Sequence, residues 1–531
     1  MGQASPAAVI QGPPGRWSIS FFGAALAGLV ASMLAIGVPF GNDTAAHLYL
    51  THVFALHGFA WWDNYWYFGR VDFVGYSYLY YPLAALVGVK APAVAGIAAS
   101  GFVTARVVPD GSRGSGIALA ASALMGVLIL SGAYPFLLGM GIAALALLAF
   151  MSSRRVFYLL GAVAAGASSP LALVGLGFAM LFISVRRWSA AHRPRVREIL
   201  RSAEALYLGS LAVVGLVFTL PIVVLQIRGT YPFYGSDLAM SLAFVVVLLF
   251  LATRLPGRDA VALRVTAGLY GIMVVLVFVD PGALGGNIAR VGEISPVIVV
   301  ALWVRGDFRP AVARLAIALV LVLSLGWMSL SVVAPLGDPA AAYLAKPESW
   351  RPVIKALRPL ADGKRVEYVD SLLHEGAWFL PEHGIAIARG WFRQDDFPVN
   401  RIFYQAALRP GAYRSWLCSN QIGAVVLPPA PYDYSSVEEA ALVSSNPGFL
   451  SGPIRVGRFE LFKVTGCAVQ PAVVVRIAHG WIQVRISSPG TFRIPLSYSP
   501  FAKSSRGSLA RASHGMTEVT VAAPGLVTIY R

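Results

Sequence analysis

Asp43 and His47 stand four residues apart in the segment 41–81, GNDTAAHLYLTHVFALHGFAWWDNYWYFGRVDFVGYSYLYY. On a helix starting near Asn42 that spacing puts a carboxylate and an imidazole on one face. Such a pair can deprotonate or orient a hydroxyl, or hold a divalent ion, Mg or Mn, if phosphate oxygens complete its shell. The plainer role for Asp43 is a helix N-cap, yet a carboxylate beside an apolar helix is costly unless it is used or paired. His47, His52 and His57 recur at every fifth residue, which rotates each about 140° from the last, so they do not converge as a zinc site would. Asp63 and Asp72 read as solvated loop residues. The aromatics Trp61, Trp62, Tyr65, Trp66, Tyr67, Tyr76, Tyr78, Tyr80 and Tyr81 fit a membrane-interface belt, and the same residue types serve as platforms for sugar rings.

Two further segments carry groups of the kind that bind phosphate. In GALGGNIARVGEISP, 282–296, glycines allow close backbone approach, and Arg290 at a helix start offers a forked cation to a lipid-linked phosphate. An arginine snorkelling to lipid headgroups would look the same. RGTYPFYGSD adds Arg228, Tyr231 and Asp237. Lys90, inside the apolar run VGVKAPAV, is expensive facing lipid and is expected to face a protein cavity.

These residues need elements to hold them, and composition says which. The chain has 531 residues, 57% hydrophobic, 13% charged, with mean hydropathy +0.67 and two cysteines. A soluble domain averages roughly 25% charged, so an ordinary soluble enzyme is excluded, as are disordered and disulfide-framework chains. Apolar runs of membrane length lie near 17–38, 77–104, 115–131, 134–150, 156–168, 170–185, 203–226, 238–253, 262–280, 291–304 and 310–334. The expectation is a polytopic α-helical membrane protein of about eleven spans. The first run is followed by no small-residue cleavage site and reads as a retained helix.

The net charge of +17 could suggest nucleic acid, but in residues 1–336 it sits in short loops between spans. With the N-terminus inside, alternate loops and adjoining span ends carry Arg106, Arg113, Arg154 and Arg155, the series Arg186 to Arg201, Arg254, Arg258 and Arg264, and Arg305, Arg309 and Arg314. The opposite loops carry only Arg70, Arg228 and Arg290. The positive-inside rule therefore puts residues 39–76 and everything after 335 outside the cytoplasmic (inner) membrane, with nucleic acid a poor partner. That assignment depends on a break at Ser168, Ser169, Pro170, since one continuous helix would flip every later loop.

Residues 1–336 thus form a transmembrane domain with a long first outer loop, 39–76. Residues 337–467 alternate helix and strand signals: helix at 350–360 and 413–419, strand at 365–370, 385–389 and 424–427, and an alternating run over 454–464, an α/β domain. Residues 468–531 show period-two runs separated by Gly, Ser and Pro, a small β-sandwich. Cys418 and Cys467 both fall outside, where a disulfide is permitted but two separate thiols are equally consistent.

An acid just past the first span, a long first outer loop, and an external C-terminal domain together resemble the GT-C superfamily of membrane glycosyltransferases. GNDTAAHLYL, YYPL at 80–83, GGNIARVGE at 285–293, RVEYVDSLLHEGAWFL and ARGWFRQDD are similar to an uncharacterised branch described as membrane proteins related to 6-pyruvoyl-tetrahydropterin synthase, with nothing pointing to pterin chemistry. The resemblance implies an inverting transfer of a sugar from a polyprenyl-phosphate donor to a glycan or lipid acceptor of the cell envelope on the outer face. It implies that Asp43 is the general base or metal ligand and that Arg290 serves the lipid phosphate. His374, Glu375, Trp378 and the run Arg389 to Asp396 would meet the acceptor, unless they are a helix cap and a surface loop. Asn42–Asp43 stands where some members have two acids, which leaves the metal requirement open. A transporter or flippase of a lipid-linked substrate, or a non-catalytic envelope assembly factor, are the rival classes. Against transport, there are no paired Gly/Pro-interrupted spans in matching halves and no ionisable ladder beyond Lys90, Asp280 and Glu293.

Overall fold

A computed structural model of the chain describes residues 15–38, 40–60, 62–69, 77–107, 112–189, 195–224, 229–282, 284–293 and 337–531. They pack as two compact units, one of Met1–Gly41, Tyr76–Gln226 and Tyr231–Val333, the other of Asn42–Gly75, Ile227–Thr230 and Ala334–Arg531. The segment Asn42–Gly75, expected to belong with the spans, therefore groups with the C-terminal unit.

Among the described residues of the first unit six helices are long and apolar enough to cross a membrane: Trp17–Gly37, Tyr134–Met151, Pro170–Trp188, Ala203–Pro221, Gly235–Ala252 and Gly257–Val279. Phe22, Leu160, Leu216 and Val279 on these and neighbouring helices are exposed, as the lipid-facing side chains of a multi-pass membrane protein must be. Ala118–Ser131 and Arg155–Ser168 are apolar but shorter. The span expected over 77–104 is instead two helices, Tyr80–Val87 and Ala91–Val107, bent by 113°. Gly88, at φ +90°, permits the break. Lys90 beside it donates from Nζ to the carbonyls of Ala35 (2.5 Å) and Val38 (3.2 Å), satisfying the end of the first helix, Gly15–Gly37. The break expected at 168–170 is present: Ser169 is extended, with φ −157° and ψ 117°, between Arg155–Ser168 and Pro170–Trp188. Helices Ala91–Val107 and Tyr134–Met151 cross with Gly96 and Gly141 backbone to backbone, where a Cβ on either would collide with the backbone of the other helix. Apart from residues 291–293, the last two expected spans lie outside the described residues.

The second unit holds a mixed sheet, β1 (Arg365–Tyr368), β2 (Ile422–Leu427), β3 (Leu450–Val456) and β4 (Phe459–Val464), in the order β1-β2-β4-β3. β1 and β2 are parallel and every residue of both is buried. The run expected as a strand at 385–389 meets β1 by a parallel bridge, Ile387 to Val366. Its other edge is taken by the first loop, Ile387 N–H donating to the Tyr65 carbonyl at 2.9 Å, so this edge does not stay open for pairing with another chain. Helix Pro347–Ala361 buries Trp350, Val353, Ile354 and Leu357. The C-terminal strands β5 (Ala472–Ala478), β6 (Trp481–Ile486), β7 (Gly490–Ser497), β8 (Lys503–Ser504), β9 (Ser508–Arg511), β10 (Met516–Val521) and β11 (Gly525–Tyr530) form two sheets, β5-β6-β11-β8 and β7-β10-β9. They share one apolar core that includes Ile482, Val484, Ile494, Val519 and Ile529, together with Trp62 of the first loop. Cys418 and Cys467 are joined by a disulfide, Cα to Cα 5.4 Å.

Candidate functional site

The helix Thr44–His57 begins six residues after the first helix ends, and Gly58, at φ +64°, closes it. Asp43 occupies its N-cap position, yet its carboxylate does not cap the helix amides. Asp43 is 5% exposed and His47, one turn on, is fully buried. The two are thus placed as the spacing predicts, and the plain capping role is not what holds Asp43.

Several of the described aromatics expected in an interfacial belt are interior instead. Trp62, Trp66 and Tyr67 are buried in the second unit, and Tyr80 and Tyr81 in the first; Trp61 and Tyr76 lie outside the described residues. Asp63, expected to be solvated, is 1% exposed and accepts hydrogen bonds from Tyr49 Oη (2.7 Å) and Tyr65 N–H (3.0 Å). Burial pushes its carboxyl up to about 6. The reason is packing: Trp66, 0% exposed, lies 4.6 Å from the Tyr49 ring and donates from Nε1 to the Ala377 carbonyl at 2.9 Å. The loop helix also packs against helix Gly376–Glu382. Asp72 lies outside the described residues.

Glu375 precedes that second helix and His374 comes before it, at φ +59°. Glu375 does not cap the helix. It is 1% exposed and accepts from Ser371 Oγ at 2.5 Å, while Ser371 accepts from Tyr368 Oη at 2.6 Å. Burial pushes the Glu375 carboxyl up to about 7 despite the Ser371 hydroxyl, a range in which one carboxyl can both hold and release a proton at neutral pH.

At the carboxyl ends of β1, the 385–388 run and β2, a buried ionic network gathers. Arg389 donates to Asp396 Oδ2 (3.0 Å), Ser435 Oγ (2.8 Å) and Glu439 Oε2 (3.2 Å), with its plane 4.0 Å from the Phe403 ring. Arg393 pairs with Asp433 (2.7 Å) and Asp370 (3.3 Å). Asp370 Oδ2 also holds His374 Nδ1 at 2.7 Å, and the imidazole stacks on Trp391 at 4.0 Å. Five acids, Glu367, Asp370, Asp396, Asp433 and Glu439, surround these two arginines. The excess must be carried as protons: burial and the neighbouring carboxylate push Glu367 well above the carboxylate range, and burial raises Glu439 to about 7. Asp433 goes the other way, because Arg393, with His374 and the Ser435 hydrogen bonds, outweighs its burial. The surface-loop alternative for Arg389 to Asp396 is thereby corrected, since Arg389, Arg393, Asp395 and Asp396 are each at most 5% exposed. Sequence reasoning found His374, Glu375 and this run, but missed Asp370, Asp433, Ser435, Ser436 and Glu439. Only Asp370, close after β1, carried a local signal; Asp433, Ser435, Ser436 and Glu439 stand farther beyond β2.

Of the other predicted residues, Tyr231 and Arg290 fall in the first unit, and Arg228 lies outside the described residues. Tyr231 N–H donates to the Gly282 carbonyl at 2.8 Å, and Gly285, at φ +41°, leaves no room for a Cβ against the Tyr231 backbone. These glycines thus serve a backbone contact with residues 231–232. Arg290 is half-buried and follows the 3-10 segment Gly285–Ala289, at the first of the described helical residues Arg290–Glu293. The structure thus gathers Asp43, His47, His374 and Glu375 in one unit, and Tyr231 and Arg290 in the other. Among the described residues no group of three or more His, Cys, Asp and Glu could hold a metal ion. No protein-family model matches the chain, and no curated protein matches it.

Proposed function

We propose that the chain is a membrane glycosyltransferase that moves a sugar from a polyprenyl-phosphate donor to a cell-envelope acceptor on the outer face of the membrane. The observation that carries this reading is Asp43. It is a buried carboxylate just past the first span, followed one turn later by buried His47, on a helix that packs against the one led by His374 and Glu375. The disulfide between Cys418 and Cys467 suits an oxidising outer compartment, in accord with the arginine asymmetry of the loops.

In the proposed reaction Asp43 accepts the proton of the acceptor hydroxyl as its oxygen attacks the anomeric carbon; the bond to the polyprenyl phosphate breaks and the phosphate leaves with both electrons. Stabilising that leaving charge is the main task, the role assigned to Arg290 and Arg228. A divalent ion on Asp43 and His47 would assist through phosphate oxygens. Glu375, near neutrality, and His374 are assigned to the acceptor. The test is transfer from lipid-linked donors in membranes, alongside mass spectrometry of envelope glycans from cells with and without the gene. Asp43→Asn should abolish transfer while membrane insertion is retained. Normal transfer by Asp43→Asn removes Asp43 from the reaction, and unchanged glycans in cells lacking the gene remove the function.

A further inference from the structure

The geometry points to a saccharide-binding site at the carboxyl ends of β1 and β2, built on Asp370, His374 and Arg393 with Trp391 and Tyr434 at its rim. It rests on the proposed function only in naming the glycan acceptor as the source of the ligand.

The topology comes first. From β1 the chain crosses to the 385–388 run on one side of β1, then returns to β2 on the other side. Strands leaving a shared neighbourhood in opposite directions part their loops at their carboxyl ends, which is where parallel sheets bind ligands. The loop after β1 carries Asp370 and His374, and the loop after β2 carries Asp433 and Tyr434.

The chemistry narrows the ligand. Asp370, 6% exposed, uses Oδ2 for His374 and Arg393, while its Oδ1 is buried with no hydrogen-bond partner among the described residues. A buried carboxylate oxygen left unpaired is costly, so this atom calls for a donor. His374 is fixed through Nδ1 and by stacking on Trp391, and no hydrogen bond among the described residues engages its Nε2. Both guanidinium groups are already committed to carboxylates and hydroxyls, so no free cation awaits a phosphate or carboxylate. A neutral ligand with hydroxyls that donate to Asp370 and His374 fits. Tyr434, 53% exposed with Arg393 5.3 Å from its ring, offers a flat apolar surface to sugar C–H groups, beside half-buried Trp391, whose ring carries His374 and Arg393.

The experiment uses the full chain in lipid nanodiscs and saturation-transfer NMR against soluble methyl glycosides and short neutral oligosaccharides, with a tetraalkylammonium salt and a neutral tripeptide as controls. At least one glycoside should bind, and Tyr434→Ala and His374→Ala should each weaken it at least tenfold. Tyr434 is on the surface, so its variant folds even if that of His374 does not, and Tyr434→Phe should keep binding. Asp43→Asn should bind as the parent does, which separates this site from the transfer chemistry. Absence of glycoside binding, binding untouched by Tyr434→Ala, or capture of only the ammonium or the peptide would each overturn the assignment.

Discussion

Removing the Trp66 side chain tests whether the segment after the first helix is a structural part of the C-terminal unit. Trp66 is 0% exposed, contacts Tyr49 at 4.6 Å and Phe392 at 5.6 Å, and donates to the Ala377 carbonyl at 2.9 Å. Gly390 packs so closely on the indole that the surroundings cannot collapse far into the space. Large-to-small changes at such sites cost roughly 3–5 kcal/mol, and the orphaned carbonyl adds about 1 kcal/mol. For a unit of this size each kcal/mol lowers the unfolding midpoint by roughly 2–4 °C, so Trp66→Ala should lower it by about 10–20 °C. Trp66→Phe retains most of the apolar contact, loses the hydrogen bond, and should cost about 1 kcal/mol. Scanning calorimetry of the full chain in nanodiscs at one fixed scan rate measures both, and chymotrypsin digestion reports whether the buried Tyr49, Trp62 and Tyr67 become cleavable. A midpoint within about 2 °C of the parent for Trp66→Ala would refute the interior placement of the loop.

Other outcomes follow from the same unit. Glu375 lies at about 7 in the folded protein against its ordinary 4.5, so between those values the folded state binds more protons than the unfolded one. Its contribution is full below about pH 4.5 and is lost as pH rises through about 7, by at most about 3 kcal/mol; Glu375→Gln should flatten that slope in denaturant titrations at several pH values. Reduction of the disulfide, or Cys418→Ser, reopens a loop of 49 residues and should destabilise the unit by about 4 kcal/mol, read as an earlier urea midpoint. Arg389→Lys should be nearly as damaging as Arg389→Ala, because an ammonium cannot serve Asp396, Ser435 and Glu439 together; equal stability of the lysine variant and the parent contradicts the forked role. Gly141→Leu should prevent the close crossing with Gly96 and lower the yield of folded protein in membranes.

Much of the architecture was legible because its signals are local. Apolar runs marked the six described helices long enough to cross a membrane, Ser169–Pro170 marked a true break, and alternation marked the terminal strands. What escaped depended on contacts between residues far apart in the chain. Gly88 allows a break in the run but does not announce a 113° bend, because Lys90 finds its carbonyls on a helix some fifty residues earlier. Asp63 reads as a loop acid until Tyr49 and the sheet close over it. Helices Gly376–Glu382 and Arg393–Val399 are short and contain proline, so their periodicity is too brief to read. In the candidate site, His374 and Glu375 stood out as polar residues in an apolar run, whereas Asp433 and Glu439 acquire meaning only once β2 lies beside β1.

The burial of Trp62, Trp66 and Tyr67 in the unit that Ala334–Arg531 completes also sets a timetable for biogenesis. Translation at about 5–20 residues per second leaves roughly 15–60 s between emergence of Trp66 and of Arg365, while the intervening helices are inserted. Throughout that interval an aromatic segment waits with its partners unmade, so a chaperone or the bilayer surface must shield it. Nascent chains halted before β1 should therefore be quality-control substrates even when every span is in place.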